Sequence, residues 1–241
     1  MKVLAINGSP KMDKGNTALI LDPFLDGMRE AGAEVELQYT KKLNINPCQG
    51  EFNCWLKTPG KCFQKDDMEM INKKRADTDI LVLASPVYCD AITSPLKNLM
   101  DRLLPGVEPY FEMRENHCRH PLRKGVKKVK LVLVSNCGFW ETDNFDPLIA
   151  HMKAFSKNAS MDYAGALLRP HGGALQEMVT MGMPLKDIFD AAREAGRQLV
   201  RDGQMSEEIL AKVSREIMPR ETYVQLANDS FREELRKLQS D

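Results

Sequence analysis

The sequence has no net charge and no long apolar run, and each absence narrows the field. Lysine plus arginine number 34 in 241 residues, and aspartate plus glutamate also number 34. With neither sign in excess, no electrostatic reason exists to expect nucleic acid or an acidic membrane surface, and the expected partner is small. No stretch approaches the roughly 20 apolar residues needed to cross a bilayer. The first residues enter a strand pattern instead of a basic, then apolar, then cleavable segment, so the expected location is cytoplasmic. Six cysteines are too few for a disulfide scaffold at this length, and three of them crowd into one loop, which fits a reducing compartment. Neither a catalytic triad nor a carboxylate pair is recognisable. The 13 prolines and 15 glycines are dispersed, so no linker, repeat or low-complexity segment divides the chain, and one domain with a tail is expected.

What is present is an alternation of short apolar runs and helical patterns. Val3–Ile6, Glu34–Tyr39, Ile80–Ala84, Val129–Ser135 and Tyr163–Leu168 read as five strands, with helices from about Asn16, from Asp66 to Arg75 and from about Pro184. Strands that alternate with helices favour a parallel sheet. The expected class is therefore α/β, a doubly wound five-stranded parallel sheet. Residues 1–203 form its domain, with a cysteine loop at 46–65 and an insertion at 105–127. Residues 204–241 form a helical C-terminal extension, with patterns at Glu207–Ile217 and Glu221–Leu238. In such sheets ligands lie beyond the carboxyl ends of the strands, where the strand order reverses. The loops after the first, third and fourth strands are the ones rich in Gly, Pro, aromatic and polar residues.

The first of these loops, Asn7 to Thr17, ends a buried strand and opens a helix. Ser9, Lys11, Asn16 and Thr17 bring hydroxyl, ammonium and amide donors, and the positive end of the helix dipole adds to them. This is an anion cradle suited to phosphate. The order Lys14-Gly15-Asn16-Thr17 lacks the Gly-Lys-Ser/Thr of a triphosphate loop, and the seven-residue gap from Gly8 to Gly15 breaks a dinucleotide fingerprint. The first strand ends without the acidic residues of a receiver domain, and the loop has no cysteine nucleophile for a phosphatase. A terminal phosphate held without chemistry suits a mononucleotide cofactor.

Gly8-Ser9-Pro10-Lys11 with Gly15-Asn16-Thr17, Ser85-Pro86-Val87-Tyr88, Lys97 with Asp101-Arg102, and Ser135 to Glu141 together resemble the NADPH-dependent FMN reductase family, whose fold is flavodoxin-like. Pro47-Cys48 to Cys62 and Asp66-Asp67-Met68 resemble its iron–sulfur flavoprotein branch more closely. The resemblance runs through most of the chain, to the Tyr223–Asn228 segment. It implies FMN, with Ser9, Pro10, Lys11, Asn16 and Thr17 at its phosphate. Pro86, Val87 and Tyr88 would follow the ribityl chain and ring edge, and Asn136, Cys137 and Gly138 would lie beside the ring. It implies NAD(P)H as substrate, a small-molecule electron acceptor or a ferredoxin, and a homodimer or homotetramer. Tyr88 and Trp140 are candidates to pack on the ring. No residue is assigned a catalytic role, since hydride transfer needs orientation and not a protein acid or base.

The related iron–sulfur flavoproteins carry four cysteines in the loop, the second three positions after the first. Here Cys48, Cys54 and Cys62 remain, and Glu51 stands at that second position. A hard carboxylate is a poor match for a sulfide cluster. The favoured expectation is a loop that keeps three thiols without a [4Fe–4S] centre, over an intact cluster with Glu51 as the fourth ligand. His117, Cys118 and His120 invite a metal reading too, but a closed zinc site needs four ligands at tetrahedral spacing, and exposed loop residues are preferred. Cys89 and Cys137 flank the expected cofactor site with no histidine tied to either by sequence, and small buried hydrophobes are the preferred reading for both.

Overall fold

The computed structural model describes residues 1–239. In chain order its strands are β1 (Lys2–Asn7), β2 (Glu34–Tyr39), β3 (Ile80–Pro86), β4 (Glu112–Arg114), β5 (His117–Arg119), β6 (Lys130–Asn136) and β7 (Asp162–Arg169). The helices are α1 (Asn16–Glu30), α2 (Asn53–Leu56), α3 (Met68–Ala76), α4 (Ser94–Asp101), α5 (Asp146–Asn158), α6 (Gly172–Thr180), α7 (Lys186–Asp202), α8 (Glu207–Ser214) and α9 (Arg220–Gln239). Five strands pair in parallel in the order β2-β1-β3-β6-β7. This is the flavodoxin-like arrangement, and its order reverses between β1 and β3.

Strand periodicity divides the core in two. In β1, Val3 and Ala5 face the layer that contains α1 and α7, while Leu4 and Ile6 face the layer that contains α3, α4 and α5, as a period of two requires. Helices on both faces explain why the central strands read as continuous apolar runs. On the first face α1 and α7 pack at unusually close range. A Cβ on Gly27 would lie 1.8 Å from the Arg193 carbonyl oxygen, and one on Gly196 would lie 2.1 Å from that of Phe24.

Three features depart from the sequence expectation. The insertion is not all loop, because β4 and β5 form a small antiparallel hairpin too short to carry a periodic signal. No helix is expected between the fifth strand and the helix from about Pro184, yet Gly172-Gly173 opens α6, entered through His171 in the left-handed conformation (φ 42°). The extension is also uneven: Val213 of α8 is fully buried against the α1/α7 layer, whereas α9 buries none of its described residues. Residues 240 and 241 of the expected extension lie outside the described residues.

Candidate functional site

The parallel register places Asn7, Ala84 and Pro86, and Asn136 at the carboxyl ends of three adjacent strands. Side chains lace these ends together. Thr93 donates its hydroxyl to the Gly8 carbonyl at 2.8 Å and its N–H to Ser85 Oγ at 3.0 Å. Ser135 Oγ donates to the Ser85 carbonyl at 2.7 Å. Asn7, fully buried, accepts the Ser9 N–H on Oδ1 at 2.8 Å and so bends the chain out of β1. Its Nδ2 is buried without a partner among the described residues. Sequence reasoning missed Asn7, Ser85, Thr93 and Ser135 as builders of the site. For Asn7, Ser85 and Ser135 the signal available was a polar side chain at the end of an otherwise apolar strand, whereas Thr93 stands immediately before α4.

Above these ends lies an open cleft of about 160 Å³. Ser9, Lys11, Gly15, Asn16 and Thr17 line one end, and Pro86, Val87, Tyr88, Asn136, Cys137 and Gly138 line the rest. The residues expected along the phosphate, ribityl chain and ring edge are therefore brought together except Pro10, which is exposed and offers its carbonyl to Lys41 Nζ at 3.1 Å, while Trp140, expected at the ring, does not line the cleft. Asn16 and Thr17 form the first turn of α1, so their N–H groups have no intrahelical acceptor and face the loop with the positive end of the dipole. Ser9 is buried, and its Oγ accepts from the Lys11 N–H at 3.3 Å, which leaves its hydroxyl proton free. A Cβ on Gly15 would come within 2.6 Å of that oxygen, so only glycine keeps this end of the cleft open. The Thr17 hydroxyl donates to Asn136 Oδ1 at 2.6 Å. It ties the first loop to the third.

The aromatic side chains divide. Tyr88 is half-exposed at the cleft and pairs with Ala91 through reciprocal backbone bonds of 2.9 and 3.1 Å. The two residues between them, Cys89 and Asp90, have φ of 48° and 63°, the double left-handed conformation of a tight hairpin turn. Trp140 turns away from the cleft. Its Nε1 donates to the Met218 carbonyl at 3.1 Å, the Arg220 guanidinium lies over its ring, and it stacks beside His171. Cys137 is buried, and burial raises its thiol pKa, which disfavours a reactive thiolate.

The loop after β6 is held from behind by the C-terminal part of the chain. Three successive carbonyls are engaged: Cys137 O accepts from Gly172 N at 2.9 Å, Phe139 O accepts from His171 N at 2.6 Å, and Gly138 O accepts from the Tyr223 hydroxyl of α9. Among the described residues Arg169, fully buried, has no carboxylate partner. It donates to the Val213 and Arg215 carbonyls at the end of α8, both at 2.7 Å, and to His171 Nε2 at 3.0 Å. The negative end of the α8 dipole offsets its charge, and burial still lowers its pKa to about 10. An arginine can only donate, so His171 Nε2 is an acceptor and the imidazole is neutral with its proton on Nδ1. Burial, followed by the neighbouring Arg169 charge, lowers the His171 pKa to about 4.

The cysteine loop forms a second, separate pocket. Cys48, Glu51, Cys54 and Cys62 line it together with Arg102, and its free volume is about 10 Å³, room for about one water. Arg102 pairs with Asp66 at 2.7 and 3.1 Å, with both side chains almost wholly buried, and donates to Cys62 Sγ at 3.4 Å. Among the described residues its Nε has no partner. Burial, then the neighbouring Cys62, Glu51 and Cys48, raises the Cys54 thiol pKa. Among the described residues no three His, Cys, Asp or Glu side chains converge to hold a single metal ion. The donor types include three soft thiols, but the enclosed space and the carboxylate fourth donor do not fit a four-iron cluster. In the insertion, His117 bonds to Glu115 O, His120 to Tyr110 O, and Cys118 lies 3.8 Å from Met113 Sδ, three different neighbours.

Residues 1–117 match the NADPH-dependent FMN reductase family. Over 105 residues the chain is 41% identical to an iron–sulfur flavoprotein of Methanocaldococcus jannaschii, covering 44% of this chain and 53% of that one. It is 38% identical over 105 residues to an iron–sulfur flavoprotein of Archaeoglobus fulgidus, covering 44% and 46%. The chain spans about half the length of the curated relatives it matches. An FMN-dependent NADH-azoreductase from Bacillus anthracis, solved in complex with FMN, shares the fold with a TM-score of 0.58 at 18% identity, over 83% of this chain and 99% of that one.

Proposed function

We propose that this protein is an FMN-dependent oxidoreductase that takes hydride from NAD(P)H and reduces a small acceptor such as a quinone, free flavin or oxygen species. The observation that carries this reading is the cleft at the β1, β3 and β6 ends, where a helix N-terminus, a buried serine hydroxyl and Lys11 meet at one end and backbone-rich loops line the remainder. FMN, when bound, supplies the hydride and electron chemistry. The chain's own residues hold and orient: Ser9, Lys11 and the first-turn N–H groups of Asn16 and Thr17 hold the phosphate. Pro86, Val87 and Tyr88 wall one side, and Asn136, Cys137 and Gly138 edge the other. Carbonyls 137–139 are drawn back toward α6 and α9, and in a planar trans peptide this turns the attached N–H groups the opposite way. Such donors favour negative charge on a bound ring. The enzyme is proposed to be cytoplasmic and to assemble as a homodimer or homotetramer.

A second reading is an electron-transfer protein that exchanges electrons with a ferredoxin-like partner. It is favoured by the iron–sulfur flavoproteins among the relatives and by the thiol-lined pocket, although that pocket does not fit a cluster as it stands. Purification without oxygen, followed by identification of the bound cofactor and stopped-flow mixing with NADH, NADPH and reduced ferredoxin, separates the two. Bleaching by a nicotinamide supports the first reading. Bleaching by ferredoxin alone replaces it with the second, and absence of bound or bindable FMN removes both.

A further inference from the structure

Among the described residues, helix α9 is a long element that the rest of the fold leaves without a buried residue. Its first turn is fixed, since Tyr223 donates to Gly138 and Arg220 lies over Trp140. Beyond that point it runs to Gln239 without a buried residue, and Val224, Phe231, Leu235 and Leu238 are exposed by 49, 67, 58 and 74%. At 100° per residue, Val224, Ala227, Phe231, Leu235 and Leu238 fall within one stripe about 80° wide. Leu226, equally exposed, lies on the opposite side.

The stripe has a property that selects its occupant. Its spacings, three, four, four and three, read the same in both directions from Phe231. A twofold interface is self-complementary, so residue i meets j and j meets i. An antiparallel pair of α9 helices centred on Phe231 would set Val224 against Leu238, Ala227 against Leu235 and Phe231 against its own copy. Charge agrees with this direction. Arg220, Glu221 and Asp229 leave the first half net negative, and Arg232, Glu233, Glu234, Arg236 and Lys237 leave the second half net positive. Antiparallel apposition puts each half over its opposite and cancels the two helix dipoles. A parallel pair would align like halves.

We propose that the apolar face of α9 is an interaction surface for a second copy of this chain, paired antiparallel about Phe231. The proposal stands on the helix alone and does not depend on the FMN reading. About four turns of paired helix bury less than the roughly 1,200 Å² of a standard stable interface. The association through this face is therefore micromolar and visibly concentration-dependent.

Sedimentation velocity of the full chain across the micromolar range should show a monomer–dimer equilibrium. F231E should weaken it by about tenfold or more, because it places two unpaired carboxylates against each other in an apolar contact. L226E should leave it unchanged. A chain that is monomeric throughout, or a dimer that survives F231E, overturns the proposal. Direction is read by oxidative cross-linking of a mixture of V224C and L238C chains, with wild type and each single variant as controls for the native thiols. Antiparallel pairing gives the V224C–L238C disulfide; V224C homodimers in its place overturn the arrangement. Far-ultraviolet circular dichroism and the thermal midpoint of each variant confirm that the core is folded.

Discussion

The cleft beyond β1, β3 and β6 and the pocket of the cysteine loop both announced themselves as short motifs, yet the structure treats them differently. The cleft draws its residues from loops more than a hundred positions apart, and the parallel register of buried strands brings them together. Thr17 and Asn136, 119 residues apart, share a 2.6 Å hydrogen bond. The cysteine pocket draws on neighbours in sequence, from Cys48 to Cys62, but no regular pairing fixes them. The four-residue α2, the buried Asp66–Arg102 pair and single hydrogen bonds from Asn98 to the Ile45 carbonyl, from Arg102 to the Asn46 carbonyl and from Trp55 to the Leu104 carbonyl hold that loop against α4 and the turn after it. Residues mounted on rigid strand ends form an open site, whereas the thiols on irregular chain line a nearly closed pocket.

The largest predicted effect lies in the cysteine loop and concerns stability. Asp66→Ala leaves the Arg102 charge buried and unpaired, and should cost about 3–5 kcal/mol in urea unfolding. Flavin affinity of the folded fraction should be unchanged; a loss below 1 kcal/mol would break the contrast between a braced loop and an open cleft. Acid should act in the same direction. Burial by itself raises the Asp66 pKa, but the hydrogen bonds from Arg102 and from the Asn46 and Met68 N–H groups outweigh it, and the net shift is downward. The pair's contribution is therefore present above the unfolded carboxylate value near 3.9 and is lost as pH falls through the lower native one.

Next in size is the acid sensitivity of the support behind the cleft. The native His171 imidazole stays neutral to about pH 4, while in the unfolded chain it protonates near 6.5. Between those values the unfolded state takes up a proton that the native state refuses, so stability falls as pH drops from about 6.5 towards 4. Urea midpoints measured at half-unit pH steps should show this slope, and His171→Asn should flatten it.

At the cleft itself, Gly15→Ala forces Ser9 Oγ aside at a cost of about 1–3 kcal/mol, read as roughly tenfold to hundredfold weaker FMN binding in a fluorescence titration. Ser9→Ala with Thr17→Ala should also weaken FMN retention, with little change in hydride transfer once the protein is saturated with FMN. A large fall in the saturated rate would show that these residues do more than anchor. The smallest effect is expected at the exposed Cys48, where Cys48→Ser should stay within about 0.5 kcal/mol of wild type and leave the flavin spectrum unaltered.

The sequence by itself determined the sheet, the two helical layers and which loops would face each other. Apolar runs of strand length, helical periodicity and the glycine-bearing turns are local signals, and a parallel sheet with one strand-order reversal leaves a single place for the loops to meet. Ser9, Lys11, Asn16 and Thr17 were legible from the donors of the first loop, and Pro86, Val87, Tyr88, Asn136, Cys137 and Gly138 from the family resemblance; the exposed Pro10 does not line the cleft. Tertiary structure alone decided where polar atoms spend their bonds. Thr17 donates to Asn136, Trp140 turns to the Met218 carbonyl, and Arg169, His171 and Tyr223 fasten the end of the chain behind the 137–139 loop. A side chain's donors are written in its chemistry, but its acceptor is set by whichever distant segment the packed core brings within 3 Å.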